Sequence, residues 1–295
     1  MELRQLRYVD AVARHRHFTR AAEELHVAQS ALSHQVRKLE AELGTELFER
    51  TSRRVAPTEA GEAVAARARR VLAEVDGVRD EVDELQGLVR GRIAIGALLP
   101  AGELDVPRLL AGFAAAHPGV EVGLREGTAA DMARYIDEDE VDAAFSLLAG
   151  DPADGVVAEV LGEDELVAVF PPGSAPRRAP VTAAQLAAQP IAVPRGGSAI
   201  NRALDGWSAD AGERMTVSLE SGDPFLLRSL VSVGFGAGVI PRSLTRREGP
   251  PIEVRRLRPA VHLPVALLWR ERRHASPAAR AFIDFVRREA GTRAG

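Results

Sequence analysis

Phe18-Thr19-Arg20-Ala21-Ala22-Glu23-Glu24-Leu25-His26-Val27-Ala28-Gln29-Ser30-Ala31-Leu32-Ser33 decides the fold. Phe18, Ala21, Ala22 and Leu25 space a short helix, and His26-Val27-Ala28 interrupts it. Leu32, Val36, Leu39 and Leu43 then recur at steps of 4, 3 and 4, one face of a longer helix that Gly44 stops. Two helices joined by a three-residue turn can set the second in a DNA major groove. That arrangement needs small residues where the helices touch, an apolar turn residue, and polar residues opening the second helix. Ala21 and Ala22, then Val27, then Gln29, Ser30, Ser33, His34 and Arg37 supply them. Gln suits a bidentate contact to adenine, and Ser suits a base or a phosphate. Arg20 and Arg37 suit phosphates. The same polar residues also describe an ordinary solvated helix face, so the pattern alone leaves both readings open.

Outward from this stretch, Leu3, Leu6, Val9 and Val12 space an amphipathic first helix. Leu47 and Phe48 are two further apolar anchors. Residues 51–55 read as a basic turn or small hairpin, where Arg53 and Arg54 suit phosphate or minor-groove contact. Thr58 is an N-cap candidate, with Glu59 and Glu62 at the positive end of the helix it opens. From there Gly61, Val64, Ala68, Val71, Val75, Val78, Val82 and Leu85 alternate steps of 3 and 4, a heptad seam. A helix over 58–87 would be about 45 Å long. The seam can pack on its own domain; its narrow stripe among charged faces favours pairing two chains. Gly87 and Gly91 mark a hinge near 86–91.

After the hinge, strand and helix patterns alternate. Strands are expected at 92–97, 120–124, 142–147, 165–170, 190–193, 215–219, 236–240 and 261–269. Helices are expected at 104–116, 129–137, 182–188, 199–211, 224–233 and 277–290. Such alternation predicts mostly parallel α/β sheets, and its length suits two small lobes better than one sheet.

Composition is permissive. The 295 residues suggest two or three domains, and 46% hydrophobic with 27% charged content is ordinary for a globular protein. The net charge of −4 is uneven, with 13 Lys/Arg against 10 Asp/Glu over residues 1–70. With no Cys, thiolate chemistry, disulfides and Cys-ligated metal are excluded. No zinc spacing, phosphate loop or serine-nucleophile elbow points to an enzyme, and Asp137-Glu138-Asp139-Glu140 reads as a solvated helix end. No cofactor is expected. No signal-peptide pattern or membrane-length apolar span is seen, so the expected location is cytoplasmic.

The run from Phe18 to Val27, then Gln29 to Ser33, Val36, Leu39-Glu40, Leu43-Gly44, Leu47-Phe48-Glu49-Arg50 and Pro57 to Gly61 resembles the N-terminal domain of LysR-type transcriptional regulators. The resemblance implies a multi-domain chain: an all-α winged helix-turn-helix over 1–58, a linker helix and hinge over 59–90, and an α/β, two-lobed, periplasmic-binding-protein-like effector domain over 91–295. Its first lobe would cover about 91–162 and 268–295, its second about 163–267. Promoter DNA, a small-molecule effector, a homodimer or homotetramer, and RNA polymerase are the partners implied. Two departures stand out. Ala28 occupies a position where many members carry Ser or Thr as a helix cap, and residues 98–102 lack the hydroxyls many relatives use to hold a carboxylate.

The resemblance puts the effector between the lobes, where strand ends and helix N-termini meet. Candidate contacts are Leu99, Pro100, Phe145, Ser146, Arg195, Ser198 and Phe225. Missing hydroxyls beside one guanidinium suggest an aromatic or largely apolar effector with an anionic group met by Arg195. An Arg such as Arg195 is more often a surface loop residue, and Ser198 more often the cap of the helix that follows. His117, in His117-Pro118, reads as structural. A solute-binding protein or an enzyme built on the lobes is the alternative reading of this half.

Overall fold

The computed structural model describes residues 1–50, 55–85, 89–98, 101–177, 180–194, 198–271 and 276–291. Two compact units result: a head, residues 1–89 with 138–140, and a body, residues 90–137 and 141–295.

In the head, α1 (Leu3–His15), α2 (Phe18–Glu24) and α3 (Gln29–Leu43) precede a hairpin of β1 (Phe48–Arg50) and β2 (Val55–Pro57). Helix α4 (Glu59–Leu85) follows, 27 residues and about 40 Å long. Val9, Val12, Ala21, Leu32, Val36, Leu39, Leu47 and Phe48 form one buried cluster. Two expected apolar positions are exposed instead, Leu3 at 44% and Leu43 at 42%. Gln5 is buried in Leu3's stead. Its side chain accepts the Glu2 backbone N–H at 2.8 Å and closes a capping box, so the buried amide is satisfied.

Thr58 caps α4 as expected: its hydroxyl accepts the Gly61 N–H at 3.0 Å and donates to the Glu46 carbonyl at 2.8 Å. The heptad seam, however, divides. Gly61 and Ala68 are buried in the head, with Ala65 beside them, whereas Val71 and Val78 are exposed. Packing on its own domain therefore accounts for the first half of the seam alone. The first turns are used up in packing the head, and the later ones carry apolar side chains into solvent. The side chains of Val82 and Leu85 lie outside the described residues.

The body contains β3 (Gly91–Ala97), α5 (Val106–Ala116), β4 (Val120–Glu126), α6 (Ala129–Asp137) and β5 (Ala143–Leu147). Then come β6 (Val156–Phe170), β7 (Val181–Thr182), α7 (Ala183–Ala187), β8 (Pro190–Pro194), α8 (Ala199–Asp210), β9 (Thr216–Ser221) and α9 (Pro224–Ser232). β10 (Ala237–Pro241), α10 (Arg242–Thr245), β11 (Glu253–Arg270) and α11 (Pro277–Gly291) complete it. Two parallel groups form, β4-β3-β5 and β10-β8-β9.

The groups are not separate sheets. The strand order is β4-β3-β5-β11-β6-β10-β8-β9, and β6 and β11 run antiparallel through its middle. The sequence pattern predicts short strands at 165–170 and 261–269; the strands have 15 and 18 residues. Gly162, Pro259 and Pro264 look like breaks in the sequence, but register shifts at Arg256/Val261 and Val265/Ala266 absorb the irregularity. The two long strands thus serve both lobes.

Helices cover both faces. Successive β5 residues point to opposite sides. Phe145 meets Phe282 of α11 edge-on at 6.1 Å, and Phe282 meets Phe113 of α5 at 5.0 Å. Ala144, one residue earlier, packs with Met132 and Ile136 of α6. In the other lobe Leu227 and Val231 of α9 pack against Val167, Val169 and Ile240. His117 ends α5 and stacks at 4.8 Å on Phe113, the structural role expected of it.

Candidate functional site

Helix α3 has two faces of opposite character. Leu32, Val36 and Leu39 are buried without exposed surface. Gln29, Ser30, His34 and Arg37 are exposed, and Ser33 is half-buried between them. These five sit at steps of 1, 3, 1 and 3, which is one helical face. Arg20, on the preceding helix α2, is exposed as well. Arg53 and Arg54 lie outside the described residues, although the strands flanking them pair as a wing, from Phe48 opposite Pro57 to Arg50 opposite Val55.

The turn before α3 puts His26 at φ 52°, and Val27 returns its N–H to the Ala22 carbonyl at 2.9 Å. Helix α3 begins at Gln29, with Ala28 in the cap position and no side-chain cap bond. Among the described residues no side-chain bond from Gln29 or Ser30 replaces the missing hydroxyl. By contrast His17, which the sequence pattern did not single out, caps α2 by accepting the Thr19 N–H at 3.2 Å.

Behind the exposed face a polar clamp joins helix to wing. Glu40 accepts the Leu47 N–H at 3.0 Å through one carboxylate oxygen and pairs with Arg50 at 2.5 Å through the other. Arg50 also donates to the Ser33 hydroxyl at 3.3 Å, and its guanidinium lies 4.7 Å over the Phe18 ring. On the far side Glu24 receives both arms of Arg14, at 2.6 and 3.0 Å, and touches His15. Hydrogen bonds from Arg14 hold the Glu24 carboxyl down at about 2.

In the body the expected effector residues separate. Phe145 is fully buried and edge-on to Phe282, so it belongs to the core of the first lobe and does not wall a cleft. The pleat of β5 decides this, because position 145 faces α11. Ser146 is also buried, with its hydroxyl 3.3 Å from the Leu147 carbonyl. Ser198 caps α8, accepting the Asn201 N–H at 3.1 Å. Phe225 opens α9 at 41% exposure, with the Arg247 guanidinium 5.9 Å from its ring. Leu99, Pro100 and Arg195 lie outside the described residues.

Other polar groups stand at the same strand ends. Thr128, after β4, donates its hydroxyl to Asp131 at 2.8 Å. Ser221 ends β9 and accepts the Asp223 N–H at 3.1 Å. The Asn201 side-chain oxygen is buried without a hydrogen-bond partner among the described residues. A hydroxyl directly between a strand and a helix is the sequence signal that would have found the first two. A cavity of about 230 Å³ opens beside the bulged stretch of the β6–β11 pair, lined by Leu104, Leu161, Val265, Glu103 and Glu163 among others. None of the expected effector residues lines it. Nearby, Asp164 is buried, which raises its pKa, while the Ser243 hydroxyl at 2.6 Å opposes that rise. Glu165 is shifted the other way. Burial raises it, but Arg256 at 2.5 Å and Arg242 at 2.8 Å outweigh that and lower it.

Among the described residues no His, Asp or Glu group is arranged to hold a metal ion, and no helix is long and apolar enough to cross a membrane.

Comparison with known proteins fits both units. Residues 3–62 match the family described as "Bacterial regulatory helix-turn-helix protein, lysR family". Residues 86–291 match "LysR substrate binding domain". The RuBisCO operon transcriptional regulator of Allochromatium vinosum is 33% identical over 303 residues, covering 98% of this chain and 97% of that one. The DNA-binding transcriptional dual regulator OxyR of Escherichia coli K12 is 30% identical over 241 residues, 82% and 79% of the two chains. Among solved structures, a full-length OxyR variant from Pseudomonas aeruginosa superposes with a TM-score of 0.73 at 27% identity, covering 97% of this chain and 95% of that one. Full-length CbnR complexed with its target DNA superposes at 0.69 and 26% identity, covering 98% and 99%.

Proposed function

This chain belongs to the LysR-type transcriptional regulators, DNA-binding proteins with an effector-binding domain, and from that premise we propose which of its residues perform each task. The head lays α3 in the major groove of promoter DNA. Gln29, Ser30, Ser33 and His34 face base edges, and Arg20, Arg37, Arg53 and Arg54 neutralise phosphates. The observation that carries this is the split of α3 into a packed apolar face and an exposed polar one. The uncapped start of α3 supports it too, because the free N–H groups there suit a phosphate.

The exposed half of the α4 seam pairs two chains, as a dimer or within a tetramer. Its half-sites then lie about 34–36 Å, or a multiple, apart. The body binds a small-molecule effector where the lobes, divided near 162 and 267, share β6 and β11. Leu99, Pro100, Arg195, Ser198 and Phe225 remain its proposed contacts, with Ser146, Thr128, Ser221 and Asn201 adjoining. The ligand is aromatic or largely apolar, with one anionic group for Arg195. It is not sensed through a thiol, because the chain has no cysteine to oxidise. Contact with RNA polymerase and a cytoplasmic location complete the proposal, both resting on kinship.

Selection of duplexes from a random library by the purified chain tests the DNA reading. Enrichment of a two-fold related motif is expected. Gln29→Ala should relax preference at one base pair per half-site, and Arg20→Ala should weaken all duplexes alike and flatten the salt dependence. Recovery of no motif would overturn it. Loss of binding to an aromatic carboxylate in Arg195→Ala tests the effector reading; unchanged affinity would sink it.

A further inference from the structure

We propose that Arg50 is a positioning residue for DNA readout: by donating to the Ser33 hydroxyl it fixes where that hydroxyl meets a base edge and leaves the serine proton for an acceptor there. A serine hydroxyl is ambivalent, with one proton and two lone pairs, and serves either a donor or an acceptor on a base. Guanidinium has donors and no acceptor. At 3.3 Å from Arg50 Nη1, the Ser33 oxygen must therefore be the acceptor, and its own proton points elsewhere. Serines on helices often return that proton to a carbonyl four residues back, as Ser229 does to Phe225 at 2.9 Å. Ser33 makes no such bond among the described residues, and no protein acceptor there receives its proton. Ser33, half-buried on the polar face of α3, thus keeps its proton for an acceptor outside the protein.

Arg50 is held to this geometry from three directions. Its second amino group pairs with Glu40 at 2.5 Å, its guanidinium plane lies 4.7 Å over Phe18, and Glu40 is itself anchored by the Leu47 N–H at 3.0 Å. Glu40 lies about two turns beyond Ser33 on α3, and Arg50 on the wing strand β1, so wing and reading helix are joined through the hydroxyl. Lysine could keep the charge and the Glu40 pair but has no planar fork, so it would not hold the Ser33 oxygen in the same geometry.

This inference rests on the reading of α3 as the helix that enters the groove. The edges accessible to such a donor are guanine N7 and O6, adenine N7, thymine O4 and phosphate oxygens.

The full-length chain and the variants Ser33→Ala, Ser33→Thr, Arg50→Lys and Ser33→Ala/Arg50→Lys would each be run through the random-duplex selection, then titrated on the winning duplex and its single-base variants. Thermal unfolding of each confirms a folded head. Ser33→Ala is expected to weaken the winning duplex about fivefold, the scale of one hydrogen bond, and to flatten preference at one base pair. Arg50→Lys should flatten the same base pair, Ser33→Thr should retain it, and the double variant should be no weaker than Ser33→Ala alone. Arg50→Lys losing affinity evenly on all duplexes, with preference intact, would make Arg50 a phosphate contact and overturn the proposal. So would additive losses in the double variant, or a flattened position that differs from that of Ser33→Ala. If Arg50→Lys does not fold, a Ser33→Ala variant that keeps its preference at every base pair overturns it instead. Failure of the unaltered chain to select any motif would strike the groove reading itself, an outcome distinct from these.

Discussion

The carbonyl oxygen of Leu47 occupies the place where a side chain on Gly61 would be. A Cβ built there would lie 1.9 Å from it, and the same oxygen accepts the Thr58 N–H at 2.9 Å. The glycine is needed for close approach, not for an unusual backbone angle. It lets the wing-side loop lie against the first turn of α4.

Gly61→Ala should therefore destabilise the head, although alanine is the better helix former by about 1 kcal/mol. Overpacking against a rigid carbonyl costs roughly 1–3 kcal/mol beyond that gain. A denaturant midpoint that rises in this variant would contradict the packing argument.

Ala28→Ser should do the opposite. The φ and ψ of residue 28 are already those of a cap, −68° and 133°, and only the hydroxyl is missing. A gain of about 1 kcal/mol is expected. It would be read as a higher unfolding midpoint with an unchanged denaturant slope.

Glu24 should make stability depend on acid. Its carboxyl titrates at about 2 in the folded head, below the 4.5 it has when free of Arg14. A depressed carboxyl contributes stability that is complete above the unfolded value. That contribution fades as pH falls from about 5 and is gone below about 2. With 37% of the side chain exposed, solvent screening keeps the effect under about 1 kcal/mol. Glu24→Gln should lose the difference between pH 6 and pH 2.5; an unchanged pH profile would refute the assignment.

Arg228 should be costly to remove from the body. It is 6% exposed and donates to the carbonyls of Leu244, Arg247, Gly249 and Pro250, at 3.1, 2.6, 3.4 and 3.0 Å. It closes the segment between α10 and β11. Arg228→Met keeps the stem but leaves these oxygens unpaired, a loss of about 2–4 kcal/mol. Calorimetry should show the body unfolding earlier.

Val78 should matter to assembly more than to folding. At 63% exposure it gives little to a single chain. Val78→Glu should shift sedimentation toward monomer while leaving the circular dichroism of the head unchanged. A variant that assembles as before would return the outer seam to solvent exposure alone.

The sequence by itself determined the helix-turn-helix, the cap at Thr58, the long α4 and the alternation of strands and helices. Each follows from a local period or from a residue with one backbone use. Tertiary structure decided what covers each apolar face. Heptad spacing from Gly61 to Val78 is uniform, yet its first half packs inside the head and its second does not. Phe145 reads equally as a cleft wall or a core residue until the pairing of β5 with β3 and β11 sets its side of the sheet. The length of β6 and β11 was hidden because bulges absorb the glycine and prolines that signal a break. Arg50 stood within the recognised run, but its link to Ser33, 17 residues away, belongs to the folded wing. Period is a property of neighbouring residues, whereas burial and hydrogen-bond partnership arise between segments that only the fold brings together.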